Sequence, residues 1–96
     1  MTTEPHRLRA QQQLANLLDL LRQQPDTATV RTMIELGEQL DGAIAAFHME
    51  AIRFRMYTLG RSIAQHSDLP AEARTLYDAV STSLEAAGFH TKSVPH

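Results

Sequence analysis

The sequence of 96 residues contains no cysteine and no tryptophan, and only 5% of it is aromatic. Without cysteine the chain can form neither disulfides nor a thiolate nucleophile nor a cysteine-based zinc site. It also lacks a run of 18 apolar residues and the short apolar segment of a secretion signal. These absences lead us to expect a cytoplasmic protein that makes no contact with membranes.

No charge of one sign dominates the chain. Nine basic and 11 acidic residues are interspersed and give a net charge of −2. A nucleic-acid-binding protein usually presents a strongly basic face, so we expect no nucleic-acid partner. A chain of this length forms one domain, and it buries only roughly 60–65% of its unfolded surface. Its core is therefore marginal unless the protein associates.

Apolar residues recur at helical spacing along nearly the whole chain, and nothing in the sequence resembles a strand. A first helix is predicted over about 5–24, because the pattern stops at Gln24-Pro25. A last helix is predicted over about 69–87, from the restart signal SDLP at residues 67–70 to Gly88, which suggests a left-handed C-cap. Residues 1–89 then form a single helical domain, and residues 90–96 form a tail that we expect to be mobile.

The middle of the chain carries the longest pattern. Spacings of three and four residues alternate over more than three heptads, which predicts one continuous helix over about 28–66. The residues in this seam are Val30, Met33, Gly37, Leu40, Ile44, Phe47, Ala51 and Phe54. A kink near Asp41-Gly42 is the alternative, and it would allow one chain to form a four-helix bundle.

A continuous central helix predicts an elongated three-helix chain. About 38 residues span roughly 57 Å, and each flanking helix covers about half of that length. The segment AIAAFHMEAIRFRMYTLG, residues 43–60, is apolar on nearly all sides. One neighbouring helix cannot cover so wide an apolar arc, so we expect an all-α, antiparallel helical-bundle dimer.

Three polar residues suggest how two copies would align. Asp41, His48 and Arg55 are spaced seven residues apart. With a two-fold axis at His48, Asp41 faces Arg55 of the second copy, and His48 faces its own equivalent. The predicted dimer interface comprises Leu40, Asp41, Ile44, Ala45, His48, Ala51, Ile52, Arg55, Met56 and Leu59. The simpler alternative places the three polar residues on the rim of the helix.

His48 is also the first residue to consider for chemistry. The segment HMEAIRFR, residues 48–55, sets a histidine within a helical pattern. In this it resembles the phospho-acceptor segments of histidine-phosphotransfer domains and of dimeric histidine-kinase helical hairpins. Those segments usually carry Lys-Gly one turn later, where this chain has Ala51 and Ile52. The resemblance implies phosphotransfer, and metal binding at His48 is a related alternative, although the Glu-x-x-His motif of di-iron bundles is absent.

No catalytic constellation is recognisable in the sequence, and we expect neither an enzyme nor a bound cofactor or metal. The sequence therefore predicts a non-enzymatic homodimer that acts through protein–protein interaction, as a small regulatory or adaptor protein. Its partner is a second copy, with another protein as a further option. A small apolar ligand in the core is a third possibility, permitted by a cluster of Phe47, Met49, Phe54 and Met56.

Overall fold

The computed structural model describes residues 4–89, which form four helices and no strand. They are α1 (Glu4–Arg22), α2 (Ala28–Ala45), α3 (Met49–Gln65) and α4 (Ala71–Ala86). The all-α prediction is confirmed, whereas the predicted count of three helices is wrong, because the helix expected over 28–66 is two helices. The expected mobile tail, residues 90–96, lies outside the described residues.

The four helices form an up-down-up-down bundle. Gln24, Val30, His66 and Leu69 line one groove, so the end of α1, the start of α2, the end of α3 and the approach to α4 meet at one end. The helices pack in a ring in which α1 contacts α2 and α4, and α3 contacts α2 and α4. The contact between α1 and α4 is the most extensive, and that between α3 and α4 the least.

Local sequence explains most of the helix ends. The Thr27 hydroxyl accepts a hydrogen bond from the Val30 N–H (3.2 Å) and caps the start of α2. At the end of α4, Gly88 adopts a φ of 97°, and the Phe89 N–H donates to the Leu84 carbonyl (2.9 Å). This is a Schellman motif with glycine in the left-handed position, as the sequence predicted.

The end of α2 is a second Schellman motif, with an unusual residue in the left-handed position. The N–H of Phe47 donates to the Ile44 carbonyl (3.1 Å), and that of His48 donates to the Ala43 carbonyl (3.0 Å). Phe47 has a φ of 56°, which costs an L-residue about 1–2 kcal/mol and favours glycine. The break therefore lies at residues 46–48, and α2 continues through Gly42, where the alternative kink was expected.

The core is completed within one chain. All four helices contribute fully buried side chains, including Leu14, Leu40, Met56 and Leu84. The buried Ser83 hydroxyl donates to the Gln13 side chain (2.7 Å) and joins α4 to α1. Among the described residues, no buried side-chain nitrogen or oxygen lacks a hydrogen-bond partner. The folded chain thus covers by itself most of the apolar surface for which a second copy was predicted.

The contact between α3 and α4 includes one tyrosine at close range. The Tyr77 hydroxyl donates to the Met56 carbonyl (2.7 Å), and the end of its side chain lies directly over Gly60. Burial raises the pKa of Tyr77; of the nearby charges, Arg74 lowers it and Asp78 raises it. Glycine at position 60 therefore permits the close approach of the two helices.

Removing the Tyr77 hydroxyl should change the alkaline stability of the protein. A phenol whose pKa is raised by folding stabilises the protein fully below its unfolded pKa of about 10, and that contribution is lost as pH rises through the folded value. We expect Tyr77→Phe to cost about 1 kcal/mol at pH 7 and to lose less stability between pH 9 and 11 than wild type. Urea unfolding of wild type and Tyr77→Phe across this pH range measures the difference in stability, and Tyr57→Phe is the control. Equal alkaline losses in Tyr77→Phe and wild type would contradict the burial of this hydroxyl.

Candidate interaction surface

Helix α3 carries two stripes of residues on nearly opposite faces. Its inner stripe packs into the core and comprises Ile52, Met56, Leu59 and Ile63. Its outer stripe, as we name it, comprises Glu50, Phe54, Tyr57 and Arg61, all of them exposed. Both stripes have spacings of four, three and four residues, and they are offset by two residues, or about 200° around the helix. This double pattern explains why the segment is apolar on nearly all sides.

The centre of the outer stripe is aromatic and solvent-exposed. Phe54 is 59% exposed and Tyr57 is 48% exposed, the largest apolar side chains that α3 presents to solvent. The Arg55 guanidinium lies over the Phe54 ring at 5.2 Å, and that of Arg61 lies over the Tyr57 ring at 5.9 Å. Arg61 also donates to the Tyr57 hydroxyl (3.4 Å). The arginines therefore order the rings without covering them.

The charges of α3 are largely unpaired within the chain. Between residues 4 and 89, none of Arg53, Arg55 and Arg61 forms an ion pair with a carboxylate, whereas Arg22 pairs with Glu38 at 3.0 Å. Arg31 and Arg74 on the neighbouring helices are likewise paired. Glu50 is the only carboxylate of α3, so this helix carries excess positive charge.

A groove runs beside the outer stripe, between α2 and α3. It has a volume of about 340 Å³. It is lined by Thr32, Leu36, Phe54, Tyr57, Thr58, Arg61, Ser62 and Gln65. The two exposed aromatic rings thus form part of a concave apolar surface with polar groups around it, which is the composition of protein contact sites.

The ten residues of the predicted dimer interface do not share one surface. Asp41, Ala51 and Arg55 are half-buried, and Ala45 and His48 are exposed. The other five, which lie in the core of the single chain, are Leu40, Ile44, Ile52, Met56 and Leu59. The predicted alignment about His48 required one continuous helix, and the turn at residues 46–48 removes that helix. A second copy cannot reach the five core residues while the bundle is closed.

His48 serves as the N-cap of α3. It is exposed, and its Nδ1 accepts a hydrogen bond from the Ala51 N–H (3.2 Å). A phospho-acceptor must be accessible, and His48 meets that requirement. It precedes its helix, however, whereas the resemblance placed it midway along one. Within residues 4–89, no group of three His, Asp or Glu side chains could hold a metal ion.

The end of the bundle next to His48 carries a small aromatic cluster. Phe47 is 56% exposed, and its ring lies 6.2 Å from that of Phe89. The Arg7 guanidinium lies 4.8 Å from the centre of the Phe47 ring, so α1, the turn and Phe89, which follows the cap of α4, meet here. Phe47 and Phe54 therefore lie on the surface, and the apolar cluster considered for a core ligand does not form.

The opposite end of the bundle has a smaller groove of about 240 Å³. His66 and Asp68 line it beside Gln24, Pro25 and Leu69. No hydrogen bond or ion pair joins His66 to Asp68, so the pair lacks the orientation that acid–base catalysis requires.

None of the four described helices is both long and apolar enough to cross a membrane.

The sequence interpretation missed the outer stripe. It assigned Phe54 to the seam of the predicted central helix. The signal that could have identified the stripe is the regular spacing of Glu50, Phe54, Tyr57 and Arg61.

Comparison with known proteins found no matching family model, no similar curated protein and no similar solved structure.

Proposed function

We propose that this protein is a non-enzymatic interaction protein that associates with itself through the outer stripe of α3. The observation that carries the proposal is the exposure of Phe54 and Tyr57 side by side, each beside an arginine. Tyrosine, phenylalanine and arginine are enriched in protein interfaces, and tyrosine and arginine supply much of the binding energy there. A regulatory or adaptor role is the kind of function that such a small module serves.

The proposed surface differs from the interface inferred from the sequence, although the partner is the same. The residues expected to bind a second copy are largely used to close the bundle. The outer stripe and the adjoining groove remain available, and the unpaired arginines of α3 add charges that a partner can neutralise. A helix-borne histidine site at His48 is the second candidate, and the exposure of that side chain supports it. Its capping bond and the absence of Lys-Gly make it the less favoured of the two.

Sedimentation velocity over a range of micromolar concentrations tests the proposal. Wild type should pass from monomer to dimer, and Phe54→Ser/Tyr57→Ser should raise the dissociation constant by about tenfold or more, because hot-spot side chains contribute at least 1–2 kcal/mol each. Leu8→Ser is the matched control, since Leu8 is 52% exposed on α1, which does not contact α3. The control should dimerise like wild type. A wild type that stays monomeric, or a dimer insensitive to the double substitution, would contradict the proposal.

A further inference from the structure

We infer that two copies pack their α3 helices antiparallel, with Phe54 of each copy against Tyr57 of the other and Glu50 of each against Arg61 of the other. The inference rests on the proposed function and adds the orientation and register of the contact. It starts from the outer stripe, in which an acidic residue stands at one end, a basic residue at the other and two aromatic residues between them.

The spacing of the stripe suits helix–helix packing. Intervals of four, three and four residues are those of the a and d positions of a left-handed helix pair, in which contacts recur every 3.5 residues. If Phe54 and Arg61 occupy heptad position a, then Glu50 and Tyr57 occupy heptad position d. Antiparallel helices bring a positions opposite d positions, so aromatic meets aromatic at the centre and opposite charges meet at both ends.

The antiparallel orientation follows from the charges. A two-fold axis perpendicular to the helices, level with the midpoint between Arg55 and Met56, brings Glu50 against Arg61 twice. Parallel helices in register would instead place Glu50 against Glu50 and Arg61 against Arg61. Like charges facing each other in an interface are costly, so the parallel arrangement is disfavoured. The stripe is therefore self-complementary only in the antiparallel sense.

A second copy fits this surface better than an acidic segment of another protein. An acidic partner would satisfy Arg61 but would meet the carboxylate of Glu50 at the other end of the stripe. A second copy satisfies both charges and both rings with the same four residues. The contact is about one helix long, roughly 25 Å for 17 residues, which places it among small interfaces and predicts micromolar affinity.

Disulfide cross-linking can measure the register directly, because the chain has no native cysteine. Glu50→Cys protein and Arg61→Cys protein, one of them enlarged by a tag, are mixed and mildly oxidised. Cysteines whose Cα atoms are more than 7 Å apart cannot be bridged without backbone movement, so we expect the mixed disulfide to exceed either homodisulfide by about tenfold. Homodisulfides in excess would overturn the inferred register. A cross-link within one chain is excluded, since each chain carries a single cysteine.

Charge reversal provides a second readout. Arg61→Glu and Glu50→Arg should each weaken dimerisation by about tenfold, since each change creates two symmetry-related repulsions, and the double variant should recover most of the loss. Arg9→Glu is the control for Arg61→Glu, because it changes the net charge by the same amount at an exposed residue of α1. A double variant as weak as the sum of its singles overturns the register. Dimerisation that depends on Phe54 and Tyr57 would then still support the proposed function, whereas a monomeric wild type overturns both.

Discussion

Gly60→Ala should destabilise the protein by about 1–3 kcal/mol, although alanine has the higher helix propensity. A Cβ at residue 60 would lie 2.7 Å from Cζ of Tyr77 and would overlap the Tyr77 hydroxyl. The aromatic ring is rigid, and its hydroxyl is fixed by the bond to the Met56 carbonyl. The ring must therefore move away from α3, which weakens the contact between α3 and α4.

Gly42→Ala is the matched control for this effect. Gly42 lies within α2, and a Cβ there would meet no atom within 4 Å other than those of the neighbouring helix backbone. Alanine should therefore stabilise the protein by about 0.5–1 kcal/mol through helix propensity alone. Urea unfolding monitored by circular dichroism measures both variants. If Gly60→Ala also stabilises the protein, α3 and α4 do not approach each other at Gly60.

The second large effect concerns the turn between α2 and α3. Phe47→Gly should be more stable than Phe47→Ala by about 1 kcal/mol, because only glycine adopts the left-handed conformation without a steric cost. Both variants lose the ring contacts with Phe89 and Arg7, so their difference isolates the backbone. In a continuous helix the order would reverse, with alanine about 1 kcal/mol more stable than glycine. Thermal or urea unfolding of the pair therefore distinguishes two helices from one.

The outer limits of the helices could be predicted from the sequence because ordinary signals mark them. Pro25 and Pro70 interrupt the helical pattern, and Thr27 and Gly88 are residues with a known preference for helix ends. The predicted limits of 5, 24, 28, 66, 69 and 87 lie within two residues of the observed ones. At these positions local preferences and tertiary structure agree.

The break at residues 46–48 could not be predicted from those signals. Its left-handed position is occupied by Phe47 and its N-cap by His48, neither of which is a typical residue for these roles. Gly42, by contrast, suggested a kink at a position where α2 is a regular helix. The energetic reason for the break is tertiary, since closing the bundle buries α3 against α2 and α4 and offsets the local cost at Phe47.

A change of phase in the apolar pattern did mark the break. The seam that begins at Val30 and Met33 is buried as far as Ile44, but its continuation through Phe47 and Phe54 is exposed. After the turn the core uses Ile52 and the residues that follow it in the inner stripe. Sequence spacing alone cannot show which of two equally regular stripes faces inward, because that choice depends on how α3 is rotated against its neighbours.

The distance between residues 29 and 65 tests the closed four-helix bundle most directly. Spin labels at Thr29→Cys and Gln65→Cys would lie near one end of the bundle, on α2 and α3, in a chain with no other cysteine. Neighbouring helix axes are about 8–10 Å apart, so double electron–electron resonance should give a distance below about 25 Å in labelled protein diluted with excess unlabelled protein. A distance near 54 Å, the length of about 36 residues of continuous helix, would contradict the bundle and with it the exposure of the outer stripe.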